Sequence, residues 1–276
     1  MTSIVEIFKA IIFGIIEGIT EWLPISSTGH MILLNEFVTL DVSPEFWEMF
    51  LVVIQLGAIL AVVLLFWNKI FPFRFNEKPV IDKEIFSLWF KILVACVPAA
   101  VIGLVFDDVL DALFYNPWSV SVALIVFGIA FIVIENKNRN ASPKVTELSE
   151  ITYQMAFLIG VFQLIAAVFP GTSRSGATIV GALLIGVSRT VAAEFTFFLA
   201  IPVMLGASFL KIVKFGFDFT GAEAAILFTG MVSAFIVSVI VIRLLMGYIK
   251  KHDFKVFGWY RIVLGAAVLM YFAFVG

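Results

Sequence analysis

Glu17-Gly18-Ile19-Thr20-Glu21-Trp22-Leu23-Pro24-Ile25-Ser26-Ser27-Thr28-Gly29-His30 interrupts an apolar run that begins near Ile4, where Glu6 and Lys9 are the only earlier charges. Ionisable groups at membrane depth cost ~2.5–3.5 kcal/mol each on insertion scales, so two carboxylates four residues apart need a job and a partner. The best partner in the chain is a second polar break, Pro170-Gly171-Thr172-Ser173-Arg174-Ser175-Gly176-Ala177-Thr178.

The surrounding composition is that of a membrane protein. Of 276 residues, 62% are hydrophobic and 14% charged, and mean hydropathy is +1.11; soluble domains are nearer half apolar and a quarter charged. Net charge is -2, which gives no support to nucleic-acid binding. The single Cys96 excludes an intrachain disulfide and a cysteine-based metal site. No basic region precedes the first apolar run, so that segment is expected to remain in the mature protein.

A spanning helix needs ~20 apolar residues. Six segments qualify: 49–67, 86–106, 118–134, 195–213, 222–246 and 257–275. Regions 4–38 and 155–188 are apolar but broken by the two polar motifs, and the second arm of each is too short to cross. Both read as re-entrant helix–loop–helix hairpins, because irregular backbone at membrane depth survives only inside protein or a wet cavity.

Loop charges agree. Lys69, Arg74, Lys78 and Lys83 follow the first span, Lys137, Arg139 and Lys144 the third, and Lys250, Lys251 and Lys255 the fifth. Asp107, Asp108 and Asp111 lie between the second and third. The positive-inside rule puts the basic loops in the cytoplasm, which requires 155–188 to enter and leave on one side. Lys211 and Lys214, placed near the outer face, run against the rule.

A shift of 146 residues brings Gly14 onto Gly160, Glu17 onto Gln163, Pro24 onto Pro170 and Ser27 onto Ser173. Each half (about 1–135 and 155–276) then reads as a hairpin plus three spans. Three is odd, so the halves are inverted, and inverted repeats with broken helices place a site near the midplane. The expected fold is one all-α polytopic membrane domain over 1–276, with six transmembrane helices and two re-entrant hairpins. Both termini would lie outside.

Glu17 and Glu21 share one helix face at i, i+4, and their oxygens suit a hard divalent ion, Mg²⁺ or Ca²⁺. The plainer alternative is a carboxylate pair at a hydrated helix end. His30, three residues after Ser27, is either a satisfied core histidine or a general base, general acid or nucleophile; Ser27 is the other candidate nucleophile. Arg174 offers a planar fork matched to phosphate oxygens, against a plainer reading as a snorkelling side chain. It opens a short helix, whose free N–H groups favour anions. Ser26, Thr28, Ser173, Ser175 and Thr178 add hydroxyls that either bind substrate or cap helices. Together these residues point to a phosphate or diphosphate held between a carboxylate-bound metal and an arginine fork, the arrangement used in phosphoryl transfer. Trp22, Trp47, Trp67 and Trp118 read as interfacial anchors.

The two motifs resemble those of the bacterial undecaprenyl-diphosphate phosphatase family, associated with bacitracin resistance, over nearly the whole chain. The resemblance implies hydrolysis of the terminal phosphate of a C55 polyprenyl diphosphate, recycling the lipid carrier for peptidoglycan and cell-wall synthesis in the bacterial cytoplasmic membrane. It also implies that bacitracin competes by binding the lipid substrate. Glu17 and Glu21 match the family's acidic motif, His30 its proposed catalytic histidine, Arg174 its diphosphate-binding arginine, and Ser27 a serine sometimes proposed as nucleophile. Ile165-Ala166-Ala167-Val168-Phe169-Pro170 departs slightly from the family pattern, by apolar exchanges only. The choice between Ser27 and His30, and between monomer and homodimer, stays open. The site is expected to open to the outer face. The rival reading is a secondary transporter or flippase of a polyprenyl phosphate lipid, which would bind the headgroup without cleaving it.

Overall fold

The computed structural model describes residues 4–74, 80–114 and 116–275; the side chains of residues 104, 107, 108, 111, 112 and 275 are outside that description. Lys78, and the side chains of Asp107, Asp108 and Asp111, therefore lie outside the described residues.

The described chain is helical, with no sheet among its residues beyond two isolated bridges. In order, the helices are α1 (Ile4–Thr20), α2 (Ser27–Asn35), α3 (Pro44–Val53), α4 (Gln55–Leu65), α5 (Trp67–Ile70), α6 (Lys83–Phe114), α7 (Pro117–Lys137), α8 (Tyr153–Val168), α9 (Arg174–Leu184), α10 (Arg189–Phe215), α11 (Gly221–Ile249) and α12 (Lys255–Val275). Six segments are long and apolar enough to cross a membrane: Pro44–Leu65, Lys83–Gly103, Pro117–Lys137, Arg189–Phe215, Gly221–Ile249 and Lys255–Phe274. These are the six expected spans, and they make the chain a multi-pass membrane protein. The first and fourth begin earlier than hydropathy places them, because Ser43 and Ser188 cap their first turns by accepting from Phe46 N and Val191 N.

Large apolar side chains point outward along the spans, as lipid-facing surface requires: Leu64, Val126, Phe209 and Val263 are all more than half exposed. The core is built where small residues let backbones touch. A methyl group added to Gly14 of α1 would sit 2.4 Å from the Gly230 carbonyl of α11, and one on Gly160 of α8 would sit 2.3 Å from the Ala95 carbonyl of α6. So α1 is pressed to α11, and α8 to α6, at backbone contact distance. The remaining frame is α7 against α12 and α10 against α3 and α4.

The two broken regions have the same construction. α1 packs on α2, and α8 on α9. α2 has nine residues and α9 eleven, too short at ~1.5 Å per residue to traverse a ~30 Å hydrocarbon layer. Each of these short helices starts from a serine with positive φ, Ser26 at 74° and Ser173 at 69°, the only such non-glycine residues among those described. Their hydroxyls accept from Gly29 N and Gly176 N respectively. These two caps are 147 positions apart, so beyond the prolines the match between the halves gains one residue, and Ser27 stands opposite Arg174 rather than Ser173.

A further expectation is corrected. Trp22 is no interfacial anchor: it is fully buried, with its ring edge-on to Phe197 of α10. It directly follows Glu21 in the break, and the break lies inside the protein. Trp67 and Trp118 are about half exposed. Lys211 has a counter-charge in Glu48, 3.8 Å away across the α3–α10 contact.

Candidate active site

The two polar breaks meet. Arg174, the first residue of α9, donates from Nη2 to Oε1 of Glu21 at 3.0 Å, across 153 positions of sequence. Its Nη1 donates to the Thr196 carbonyl of α10 at 3.0 Å. The second oxygen of Glu21 accepts from Ser27 Oγ at 2.8 Å, and the main-chain carbonyl of Glu21 accepts from Ser175 Oγ at 3.2 Å. Glu21 thus joins both motifs through three hydrogen bonds. Ser173 Oγ lies 3.1 Å from Ser175 Oγ. Since the Ser175 proton is committed to Glu21, Ser173 is the donor in that pair. Thr178 donates to the carbonyls of Arg174 and Ser175 and pairs with the Thr196 hydroxyl at 2.9 Å, tying α9 to α10.

Glu17 is buried one turn before Glu21 and lies within electrostatic reach of both Glu21 and Arg174. Among the described residues its Oε1 has no hydrogen-bond partner, and neither do Arg174 Nε and Thr172 Oγ1. Orphaned buried polar atoms are rare and each calls for a water, an ion or a catalytic role. Two of these atoms, Glu17 Oε1 and Arg174 Nε, belong to the charges gathered around Glu21. Gln163, at the position in α8 that answers to Glu17 in α1, is also buried with both side-chain atoms unpartnered.

His30 faces elsewhere. Its Nδ1 lies 2.7 Å from the Ser26 carbonyl, and its Nε2 lies 2.7 Å from the Tyr260 hydroxyl, with the planes of the two rings nearly parallel. A carbonyl only accepts, so Nδ1 carries the proton and the neutral ring offers Nε2 as acceptor to Tyr260. Ser27 and His30 are not hydrogen-bonded to each other; the partner of Ser27 is Glu21. Ser26 acts as a cap, and Thr28 makes no side-chain hydrogen bond among the described residues.

Two residues were missed in the sequence. Tyr260 carried no signal there. Arg261 did, being a charge inside the last span. It is fully buried, and its guanidinium donates to the carbonyls of Pro24 at 3.1 Å, Gly171 at 3.0 Å, Thr172 at 2.7 Å and Leu124 at 3.4 Å. One side chain from α12 therefore clasps the main chain of both breaks.

Among the described residues no three of His, Cys, Asp and Glu come together as a metal site. Glu17 and Glu21 nevertheless fit a divalent ion of the Mg²⁺ type, which is commonly held by one or two carboxylates plus phosphate oxygens of a substrate. The unpartnered Glu17 oxygen is the observation that carries this fit.

The sequence profile described as bacitracin resistance protein BacA matches residues 10–267. A protein of Desulfitobacterium hafniense named undecaprenyl-diphosphatase is 69% identical over 271 residues, 98% of each chain. Undecaprenyl-diphosphatase 1 of Clostridium acetobutylicum is 66% identical over 98% of this chain and 99% of its own. An undecaprenyl-diphosphatase of Enterococcus faecalis is 63% identical over 96% and 97% respectively. With its two breaks joined through Glu21 and Arg174, and a match that runs nearly from end to end, the chain belongs to the bacitracin resistance protein BacA family.

Proposed function

We propose that this protein hydrolyses undecaprenyl diphosphate to undecaprenyl phosphate and phosphate within the membrane, at the junction of the two breaks. Relatives of this identity and coverage carry that activity in their names. The observation that carries the site is the Arg174–Glu21 contact, with the unpartnered Glu17 Oε1 and Arg174 Nε beside it.

Without substrate, Glu21 neutralises Arg174. An arriving diphosphate competes for that guanidinium, because bidentate arginine–phosphate pairing is strong and Arg174 has donors to spare. Glu21, relieved of Arg174, still accepts from Ser27 Oγ and is placed to take its proton. In this reading Ser27 Oγ bonds to the terminal phosphorus, the bond from that phosphorus to the bridging oxygen breaks, and undecaprenyl phosphate leaves. Water then releases phosphate from the serine. His30 is the other candidate nucleophile, through Nε2, and must first part from Tyr260. The 2.8 Å Ser27–Glu21 bond favours the serine. Glu17 and Glu21 would hold the divalent ion, Mg²⁺ or Ca²⁺. When bound, such an ion offsets charge on the phosphate oxygens and polarises the anhydride. Ser26, Thr28, Ser173, Ser175 and Thr178 are assigned to the substrate side, with Ser175 and Thr178 acting through the main chain they hold.

The re-entrant, inverted architecture belongs to the same proposal. Its support is that α1 pairs with α11 as α8 pairs with α6, while α7 pairs with α12 and α4 with α10 across the halves. The site is assigned to the outer face of the cytoplasmic membrane. A membrane-impermeant thiol reagent on intact cells should label a cysteine at Thr39, and not one at Asn140, in a Cys96→Ser background. The reverse pattern inverts the assignment.

The activity is tested by free phosphate released from undecaprenyl diphosphate in detergent. Glu21→Ala and Arg174→Ala should each cost at least ~10²-fold, the scale of one lost transition-state contact, with the purified protein still monodisperse. A phosphoenzyme trapped on Ser27 supports the serine, and one on His30 transfers the role. Full activity in both alanine variants, or headgroup movement across vesicles without phosphate release, defeats the proposal in favour of a transporter.

A further inference from the structure

At one end of the helical frame, away from both breaks, α7 ends at Lys137, α10 begins at Arg189 and α11 ends at Ile249. Between these ends lies a cavity of about 370 Å³ whose wall includes Glu135, Arg139, Arg189, Lys251, His252 and Asp253.

Its charges do not cancel locally. Glu135 is buried and fully engaged: it pairs with Arg189 through Nε and Nη2 and also accepts from Phe254 N at 3.0 Å. Asp253 is held by Lys255, which reaches its Oδ2 at 2.9 Å and donates a main-chain N–H to Oδ1. Burial opposes ionisation of Asp253, but these bonds and the nearby Arg189 hold its pKa below the ordinary carboxylate value. Both acids are therefore spoken for. Arg139 and Lys251 face the same cavity with no acidic partner among the described residues. His252 stands beside them, its ring stacked on Tyr248 and its Nδ1 directed at the Tyr248 carbonyl.

Within about a turn of this wall, Val133 on α7 and Leu244 on α11 are more than half exposed apolar residues, so lipid-facing surface begins there. A cavity at the ends of three spans, bordered by that surface and lined by two unpaired cations, sits at headgroup depth. Basic pockets between helix ends at that level take phosphate-bearing headgroups.

We propose that this cavity is a second anion site, distinct from the diphosphate site, which binds a phosphate group through Arg139 and Lys251. Such a phosphate has two sources, the phosphodiester of an anionic phospholipid or free inorganic phosphate. The depth of the cavity favours the lipid.

The test uses the whole purified protein, stripped of lipid and titrated with phosphatidylglycerol or phosphatidylcholine, with bound lipid read by native mass spectrometry. Phosphatidylglycerol should bind at least tenfold better than phosphatidylcholine. Arg139→Gln and Lys251→Gln should each weaken it on the order of fivefold, the scale of one cation at a membrane surface. Lys83→Gln, a charge loss outside the cavity, should change nothing. Inorganic phosphate that displaces phosphatidylglycerol, and itself raises the unfolding midpoint of the native chain but not of the variants, keeps the anion site and names free phosphate as its occupant. Equal binding of both lipids with no effect of phosphate overturns the proposal. So does equal loss in Lys83→Gln, which would reduce the effect to net charge.

Discussion

Replacing Arg261 by Met keeps the length and apolar stem of the side chain and removes every donor. The carbonyls of Pro24, Gly171 and Thr172 then lose the partner that the structure gives them. Each buried carbonyl left without a bond costs ~1–3 kcal/mol, or ~3–9 kcal/mol for three. Against this, Met need not be stripped of water as a guanidinium must, a saving of several kcal/mol. The expected net loss is ~2–4 kcal/mol, which at ~2–4 °C per kcal/mol lowers the unfolding midpoint by ~4–16 °C. Activity should fall further than stability. The clasp sets the spacing of Pro24 and Thr172, and Glu21 and Arg174 lie within three residues of them. A misplacement of ~1 Å between reacting groups costs ~10²-fold. Arg261→Lys should resemble the Met variant more than the native protein, because a single ammonium cannot span both breaks. The assays are thermal unfolding in detergent and phosphate release at saturating substrate. An Arg261→Met protein within ~2 °C of the native midpoint and within about threefold of native turnover would refute the clasp.

Three further outcomes follow from the same geometry. Gly57→Ala places a methyl group 2.0 Å from the Met231 carbonyl, so α4 and α11 must separate; the expected loss is ~1–3 kcal/mol or more by overpacking, read as a lower unfolding midpoint. Tyr260→Phe removes only the hydroxyl that meets His30 Nε2. With Ser27 as nucleophile, kcat should stay within about twofold of native, whereas a rise on the order of fivefold, the release of one bond of ~1 kcal/mol, would transfer the role to His30 Nε2. Chelation should stop phosphate release and added Mg²⁺ should restore it, with Glu17→Gln needing more metal than native; turnover indifferent to chelator removes the role given to the two carboxylates.

The spans and the two breaks were legible because their signals are local: runs of apolar residues, and charges or prolines where such runs should continue. That the breaks touch was legible only through cost, since a buried carboxylate and a buried guanidinium each need the other. What stayed hidden was non-local or conformational. The positive φ of Ser26 and Ser173 leaves no mark in composition, and it shifts the match between the halves by one residue past the prolines. Ser27 and His30 look like a pair at three-residue spacing, yet the cap at Ser26 sends one toward Glu21 and the other toward Tyr260. Trp22 was misread because aromatic residues near charges usually mark the interface; here the charge itself is buried. Arg261 obeyed the rule that flagged Arg174, but lacking a polar neighbourhood in sequence it went unread.

The two arginines differ in how their donors are used. A guanidinium has five N–H donors. Arg261 spends four hydrogen bonds on main-chain carbonyls and has no carboxylate among its partners. Arg174 makes two, one of them to a carboxylate that an incoming anion can replace, and its Nε is unpartnered. A cation whose donors are committed to the backbone has little left for a ligand, whereas one balanced by an exchangeable acid is ready for it. Breaking a helix at membrane depth exposes carbonyls as well as N–H groups. Here Gly29 N and Gly176 N are met by the serine caps, and the carbonyls of Pro24, Gly171 and Thr172 by Arg261. In the proposed reaction, this division between α9 and α12 lets Arg174 exchange Glu21 for an anion while Arg261 keeps the breaks closed.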